Sequence, residues 1–251
     1  MSFPARSTLQ PAYLLHCYPY RDTSLLVEVL TGNHGRLGLV ARGGRGPATR
    51  HRPFLQPFRP LLISWSGRGE LGTLTGCEGH GPAIVLQGTS LYSGFYMNEL
   101  LLRLVARQDP HAGLFQHYEQ ALQGLRLEDG QRALRLFEKR LLEALGYGLQ
   151  LKYDAADHRP LNAAGTYEFR LEHGLIAVAG EQHASRCFSG KSLISLQREE
   201  LSDAQSLRDA KRLMRAALKP YLGDRPLQTR KVLHQVSNSW KTAMERPGKD
   251  G

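Results

Sequence analysis

Along residues 11–80, apolar positions come in short runs divided by turn residues. PAYLLHCY (11–18) is the first run, with Pro19 and Asp22 behind it. LLVEVLT (25–31) is the second and ends in a GNHG turn. In GRLGLVAR (35–42), Leu37, Leu39 and Ala41 alternate with Arg36, Gly38, Val40 and Arg42, the period of a half-buried strand. The loop GGRGPATRHRP interrupts. FRPLLISWS (58–66) and LGTLTGCE (71–78) then follow each other across a GRGE turn. Five short strands with one long loop after the third predict a small closed barrel. An OB-fold has this size and strand count, and it binds oligonucleotides through a strand face and projecting loops. The pattern alone fits an SH3-like barrel as well.

Beyond residue 81 the period becomes helical. TSLYSGFYMNELLLRLVARQDP carries Leu91, Phe95, Leu101, Leu104 and Val105 near helical spacing, with Thr89 or Ser90 as the expected cap and Asp109-Pro110 as the stop. A second helix is predicted around Leu114, Tyr118, Ala121, Leu122 and Leu125. A third follows Leu134, Phe137, Leu141 and Leu145, and Gly146 ends it. Residues 150–190 change character again, and TYEFRLEHGLIAVAG reads as a β-hairpin turning at His173-Gly174. Helix returns over 203–222. The expected class is α+β: a barrel domain over 1–80, a helical domain over 81–240 with a small β-hairpin insertion at about 150–190, and a flexible polar tail over 241–251.

Charge sharpens the picture. The 251 residues carry a net +10. Residues 1–80 hold nine arginines and four acids, so half of the excess sits in the first third. Between Glu28 and Glu70 there is no acid, yet there are seven arginines: Arg36, Arg42, Arg45, Arg50, Arg52, Arg59 and Arg68. A solvated face normally mixes signs. Guanidinium matches phosphate with a fork of donors and stacks on bases, so nucleic acid is the expected partner of this stretch. A second cationic constellation lies in SLRDAKRLMRAALKPYL. Arg208, Lys211, Arg212, Arg215 and Lys219 fall at i, i+3, i+4, i+7 and i+11, on one face of the helix. Leu207, Ala210, Met214, Ala217, Leu218 and Tyr221 form a separate apolar stripe. The cationic face suits phosphate, an acidic protein partner or plain solvent. Tyr18, Tyr20 and Phe54, at strand or loop ends, are the candidate base-stacking rings.

Other chemistry finds little support. GRGELG (67–72) matches G-x-G-x-x-G, but strand rather than helix follows it, so a hairpin turn explains it better than a dinucleotide site. His158, His173, His183 and Cys187, with Asp154 and Asp157 nearby, are zinc-ligand types without a tight ligand pair. Scattered loop histidines are the simpler reading. The Glu199/Glu200 pair reads as the exposed face of a helix start. No nucleophile–base arrangement has supporting context, so no enzyme is expected and no cofactor is assigned. Cys17, Cys77 and Cys187 are far apart, as in a reducing cytoplasm. No apolar run is long enough for a membrane helix, and MSFPARSTLQ lacks the apolar core of a signal peptide.

Several separate segments, in order, resemble the RecO family of bacterial recombination mediators. They are LLHCYPYRDTSLLVEVLTGNHGRLGLVARGGR, LQPFRPLL with GRGELGTL, LYSGFYMNELLLRL, RLFEKRLLEALGYG and AKRLMRAALKPYLGDRPLQTRKV. The resemblance implies an N-terminal OB-fold, a helical C-terminal domain, binding of single- and double-stranded DNA, and annealing of complementary strands. It implies as partners a RecR-like protein, the single-stranded-DNA-binding protein and, indirectly, a RecA-type recombinase, in the cytoplasm at the nucleoid. It implies a pocket for the acidic tail of the single-stranded-DNA-binding protein, expected near Arg132, Arg135, Phe137 and Leu141. Some such proteins carry a four-cysteine zinc module. The corresponding stretch here has only Cys187, so no metal is expected. The alternatives are a basic RNA-binding module and a metal-dependent hydrolase using the histidines of 150–190.

Overall fold

A computed structural model describes residues 6–45, 51–67, 69–127, 130–178, 186–232 and 235. The described residues within 1–30, 36–108 and 222–251 form one compact unit, and those within 31–35 and 109–221 form another. In the first unit, β1 (Arg6–Tyr20), β2 (Ser24–Thr31), β3 (Gly35–Ala41), β4 (Pro60–Ser66) and β5 (Leu71–Gly79) close a barrel in the order β1-β2-β3-β5-β4. β4 is antiparallel to both β1 and β5, whereas β3 and β5 run parallel, with Gly38 opposite Leu71 and Val40 opposite Thr73. Parallel neighbours cannot share a tight hairpin. The chain therefore leaves β3 by the long loop and returns through β4. This closure is that of an OB-fold and decides between the two barrels that the strand pattern allowed. The alternation holds: Leu37, Leu39 and Ala41 of β3 and Leu61, Ile63 and Trp65 of β4 point into one core. Of GRGELG, Leu71 and Gly72 open β5, and Gly67, Gly69 and Glu70 lie between β4 and β5, so strand and not helix follows the motif.

On the outside of the barrel an ion cluster is buried. Val27 and Val29 of β2 belong to the core, so Glu28 between them points outward. Its carboxylate is nevertheless buried, because Arg36 on β3 (2.9 Å) and Arg107 close over it from two sides. Arg107 lies across β3 where Gly38 leaves space: a Cβ there would come within 2.9 Å of the guanidinium. Gln108 N–H donates to the Arg36 carbonyl (2.8 Å) and the Arg36 Nε to the Val105 carbonyl (2.8 Å). Residues 105–108 are thereby held on the β3 face.

Helix α1 (Gly88–Leu104) belongs to the same unit. The Asn98 amide donates to the Leu15 carbonyl (3.0 Å), and Gly94 leaves room for Phe58 and Leu86. The compact unit that holds the barrel thus extends past residue 80 to include α1. The helix also starts earlier than expected. Gln87, not Thr89 or Ser90, is its N-cap, without a side-chain cap bond. Its buried stripe is Gly94, Met97, Asn98, Leu100 and Leu101, while Phe95 is exposed, with its ring edge against Phe58. Residues 225–229 return to α1: Arg103 donates to the Arg225 and Pro226 carbonyls, and the Glu99 carboxylate accepts from the Gln228 and Thr229 N–H groups.

In the second unit, α2 (Leu114–Arg126) and α3 (Gly130–Ala144) pack closely, as Gly124 against Ala133 permits. The buried residues of α2 are the five expected. After α3, Gly146 adopts φ +81°, and the Gly146 and Tyr147 N–H groups bond back to Glu143 and Leu142, a Schellman stop. β6 (Thr166–Arg170) and β7 (Gly174–Ala177) form the expected hairpin. β8 (Cys187–Ser189) extends it on the far side of β6, and α4 (Gly190–Gln197) follows, capped by Ser189. Neither was predicted: three and eight residues are too short to set a period. α5 (Ala204–Leu222) starts at Asp203, whose carboxylate accepts from the Gln205 and Ser206 N–H groups. Residues 241–251 lie outside the described residues.

Replacing Glu28 with Gln leaves two guanidiniums without a counter-charge. Arg107 is one-third exposed, so the expected cost is about 2–3 kcal/mol rather than the full penalty of a broken buried pair. Urea unfolding of Glu28→Gln checks this, with a lower midpoint and an unchanged slope as the expected result.

Candidate nucleic-acid interface

The arginines of the acid-free run separate into two groups. Arg42, at the end of β3, is exposed, as are Arg45 and Arg52 in the loop beyond it. Arg45 turns back on the β1–β2 turn, donating to the Asp22 carbonyl at 3.1 Å. None of the three makes an ion pair among the described residues, so their positive charge faces solvent uncancelled. Arg36 is different. It is sealed against Glu28 and Val105, and burial lowers its pKa despite the neighbouring carboxylate. The expectation that Arg36 meets phosphate is therefore corrected: the acid that bounds the run in sequence neutralises its first arginine in space. The hydrogen bond to Glu28 raises the pKa of Arg107, which stays charged at any ordinary pH. Arg59 is half-buried, with its guanidinium 5.3 Å from the centre of the Phe54 ring. Arg50 and Arg68 lie outside the described residues.

Of the candidate rings, Tyr18 is exposed. Tyr20 is half-buried, with the Arg21 guanidinium 5.3 Å from its centre. Phe54 packs against the barrel core, which explains it without a base. His16, not singled out by the sequence, lies beside Tyr18 with ring centres 4.3 Å apart.

In the second unit, Arg208, Lys211, Arg215 and Lys219 form an exposed stripe on α5. Arg212 does not join it freely. It pairs with the buried Asp209 (2.9 Å), donates to the Cys187 carbonyl and lies 4.8 Å from the centre of the Phe188 ring. The residues expected around a partner pocket also divide. Arg132 and Phe137 line a cavity of about 260 Å³ with His117, Gln120, Leu136 and Arg140. Arg135 is instead buried against Glu138 (2.7 Å), and Leu141 is fully buried in the core. The Arg132 guanidinium donates to the Glu199 and Glu200 carbonyls, at 2.6 and 2.8 Å. It thereby holds Glu199 at φ +60°, a strained value for a residue other than glycine. Glu199 is not on a helix start, as expected, but follows α4 and receives Lys139 and Arg140.

Among the described residues no group of three or more metal-ligating side chains comes together. Asp154 accepts from the Ala156 and Ala177 N–H groups and serves the chain fold. His183 lies outside the described residues. No helix among the described residues is long and apolar enough to cross a membrane.

A closed OB barrel with an arginine-bearing loop, followed by helices with a small sheet, defines an oligonucleotide-binding-fold protein with a helical partner domain. Comparison with known proteins agrees. The family described as "Recombination protein O N terminal" matches residues 5–83, and "Recombination protein O C terminal" matches residues 86–231. A DNA repair protein RecO from Nitrosococcus oceani is 49% identical over 232 residues, 92% of this chain and 94% of the relative. Those from Coxiella burnetii (strain RSA 331 / Henzerling II) and Aromatoleum aromaticum are 45% and 41% identical. They cover 91% and 94% of this chain and 98% and 99% of their own lengths. The chain belongs to the RecO family.

Burial raises the pKa of Glu199, but hydrogen bonds from Arg140 and Lys139 outweigh it and bring the group down to about 2. A carboxylate depressed on folding stabilises fully above its unfolded pKa of 4.5 and loses that contribution as pH falls towards 2. The stability gap between the wild type and Glu199→Gln should therefore be constant above pH 5 and shrink between pH 4.5 and 2. Thermal unfolding across that range checks it.

Proposed function

We propose that this chain acts in DNA repair and recombination as a mediator that binds single- and double-stranded DNA and anneals complementary strands. The observation that carries the reading is the uncancelled charge of Arg42, Arg45 and Arg52 on one loop of an OB barrel. Such cations contact phosphate rather than base edges, so binding is largely indifferent to sequence. Neutralising two strands lets them approach each other, which is the physical requirement of annealing. The exposed α5 stripe of Arg208, Lys211, Arg215 and Lys219 supplies further phosphate contacts.

Membership of the RecO family supports the repair context. In the same reading, a RecR-like partner joins this chain at the nucleoid, and together they load a RecA-type recombinase onto DNA coated by single-stranded-DNA-binding protein. The cavity of Arg132, His117, Leu136, Phe137 and Arg140 takes the acidic, apolar tail of that coating protein. Arg132 meets a carboxylate there, Arg140 being already paired with Glu199 on the same lining, and Leu136 and Phe137 meet an apolar side chain.

Engagement of about five phosphates gives a slope of log K against log salt of roughly −3.5 on single strands and −4.5 on duplex. Titrations at several salt concentrations measure it, and a flat response would sink the reading. An Arg42→Glu/Arg52→Glu variant should anneal poorly; normal annealing would count equally against it. For the cavity, Arg132→Glu should weaken binding of an acidic tail peptide about tenfold, in the range of one lost charge-assisted bond, with DNA affinity retained. Arg135→Ala should instead lower stability, since it strips the partner from buried Glu138. Peptide and DNA titrations of both variants, with melting curves, separate the two roles.

A further inference from the structure

We propose that the outer face of the second half of β1 is a base-stacking platform for single-stranded DNA, built from His16, Tyr18 and Tyr20. The inference rests on the DNA-binding reading above and names the strand type that this part of the barrel takes. Alternation along β1 sets these three rings on one face. Cys17 packs against the barrel core between the exposed His16 and Tyr18, so these rings face outward; the parity of Ala12 and Leu14, which lie in the core, has changed by this point of the strand. His16 is exposed and Tyr18 is 43% exposed. Their ring centres lie 4.3 Å apart with planes tilted by 59°, so the two rings are neighbours and the exposed Tyr18 offers a face to a base. Tyr20 continues the row two residues on.

Charge around the row suits a nucleic-acid strand. The Arg21 guanidinium sits by the Tyr20 ring, and Arg45 is tied to the same β1–β2 turn. Arg107, whose side chain is 31% exposed, lies near Tyr18, whereas Arg36 is sealed against Glu28 and takes no part. Cations therefore flank the rings, where the phosphates of a strand stacked on them would pass. Asp22, in the β1–β2 turn, and Glu70, which interacts with Arg107, are both exposed acids. A duplex keeps its base faces inside the stack and has none to offer. Single strands expose a π-face at every base, which gives sequence-tolerant stacking. The platform thus discriminates strandedness, while the arginine loop does not.

The test uses the full chain and three labelled ligands: oligothymidylate, the same length with abasic positions, and duplex. Tyr18→Ala should weaken oligothymidylate binding about tenfold, the range of one lost base stack. It should leave the abasic strand, the duplex and the melting temperature unchanged. Tyr18→Phe keeps the ring and should bind normally. In a Tyr18→Trp variant, indole fluorescence should be quenched by oligothymidylate and not by the abasic strand at saturation. Wild-type affinity in Tyr18→Ala, or equal losses on all three ligands, overturns the platform. Arg42→Glu/Arg52→Glu keeps the two readings apart. If it weakens every ligand while Tyr18→Ala weakens none, only the platform falls. If it weakens none, the DNA-binding reading falls and the platform with it.

Discussion

The parallel pairing of β3 with β5 is the constraint on which the rest of the first unit depends. It closes the sheet and removes its exposed edges, and it does so with strands that no short turn can join. The connection out of β3 must therefore be long. It is the loop that carries Arg45 and Arg52, with Arg42 at its root. The position of the arginines is thus a consequence of how the barrel closes. A meander of five antiparallel strands would have needed no such excursion.

A second consequence follows on the outer surface. Closure leaves the β2–β3 face on the outside, the face through which OB-folds meet oligonucleotides. Here part of it is covered by residues 105–108, with Arg107 lying across Gly38 and locked to Glu28. The burial of Glu28 makes this contact strong in one sense only. Two cations and one anion leave the cluster positive, so the strap covers the face without making it repel phosphate. Polar contact that would disrupt a core here fastens a loop to a strand face and keeps Arg107 at the border of the exposed rings.

In the second unit the same economy recurs with opposite emphasis. Arg132, Arg135 and Arg140 of α3, and Arg212 among the exposed cations of α5, are each bound to carbonyls, carboxylates or a ring. What remains outward is the α5 stripe and the cavity rim, where Arg132 and Arg140 keep part of their surface towards the opening. The charge of this unit is spent partly on structure, and only the balance is available to a partner.

Period and punctuation in the sequence determined the strands of the barrel, the buried face of α2, part of those of α3 and α5, the stop at Gly146 and the β6–β7 hairpin, but not that α3 buries Arg135 and Glu138 or that α5 buries Leu213 and exposes Tyr221. What they determined is local: side-chain alternation, helical spacing and glycine at a left-handed position act within a few residues. The uncompensated loop arginines were equally legible, because an absence of acids is visible along the chain. Tertiary structure alone decided the parallel closure, and with it the choice of OB-fold. It also decided the fate of individual charges. Glu28 meets Arg107 across 79 residues and Lys139 meets Glu199 across 60, separations at which no periodicity survives. His16 became part of a ring surface only once its strand had a face. A linear count weighs every arginine alike, whereas burial and an opposing carboxylate settle which of them still carries its charge to solvent.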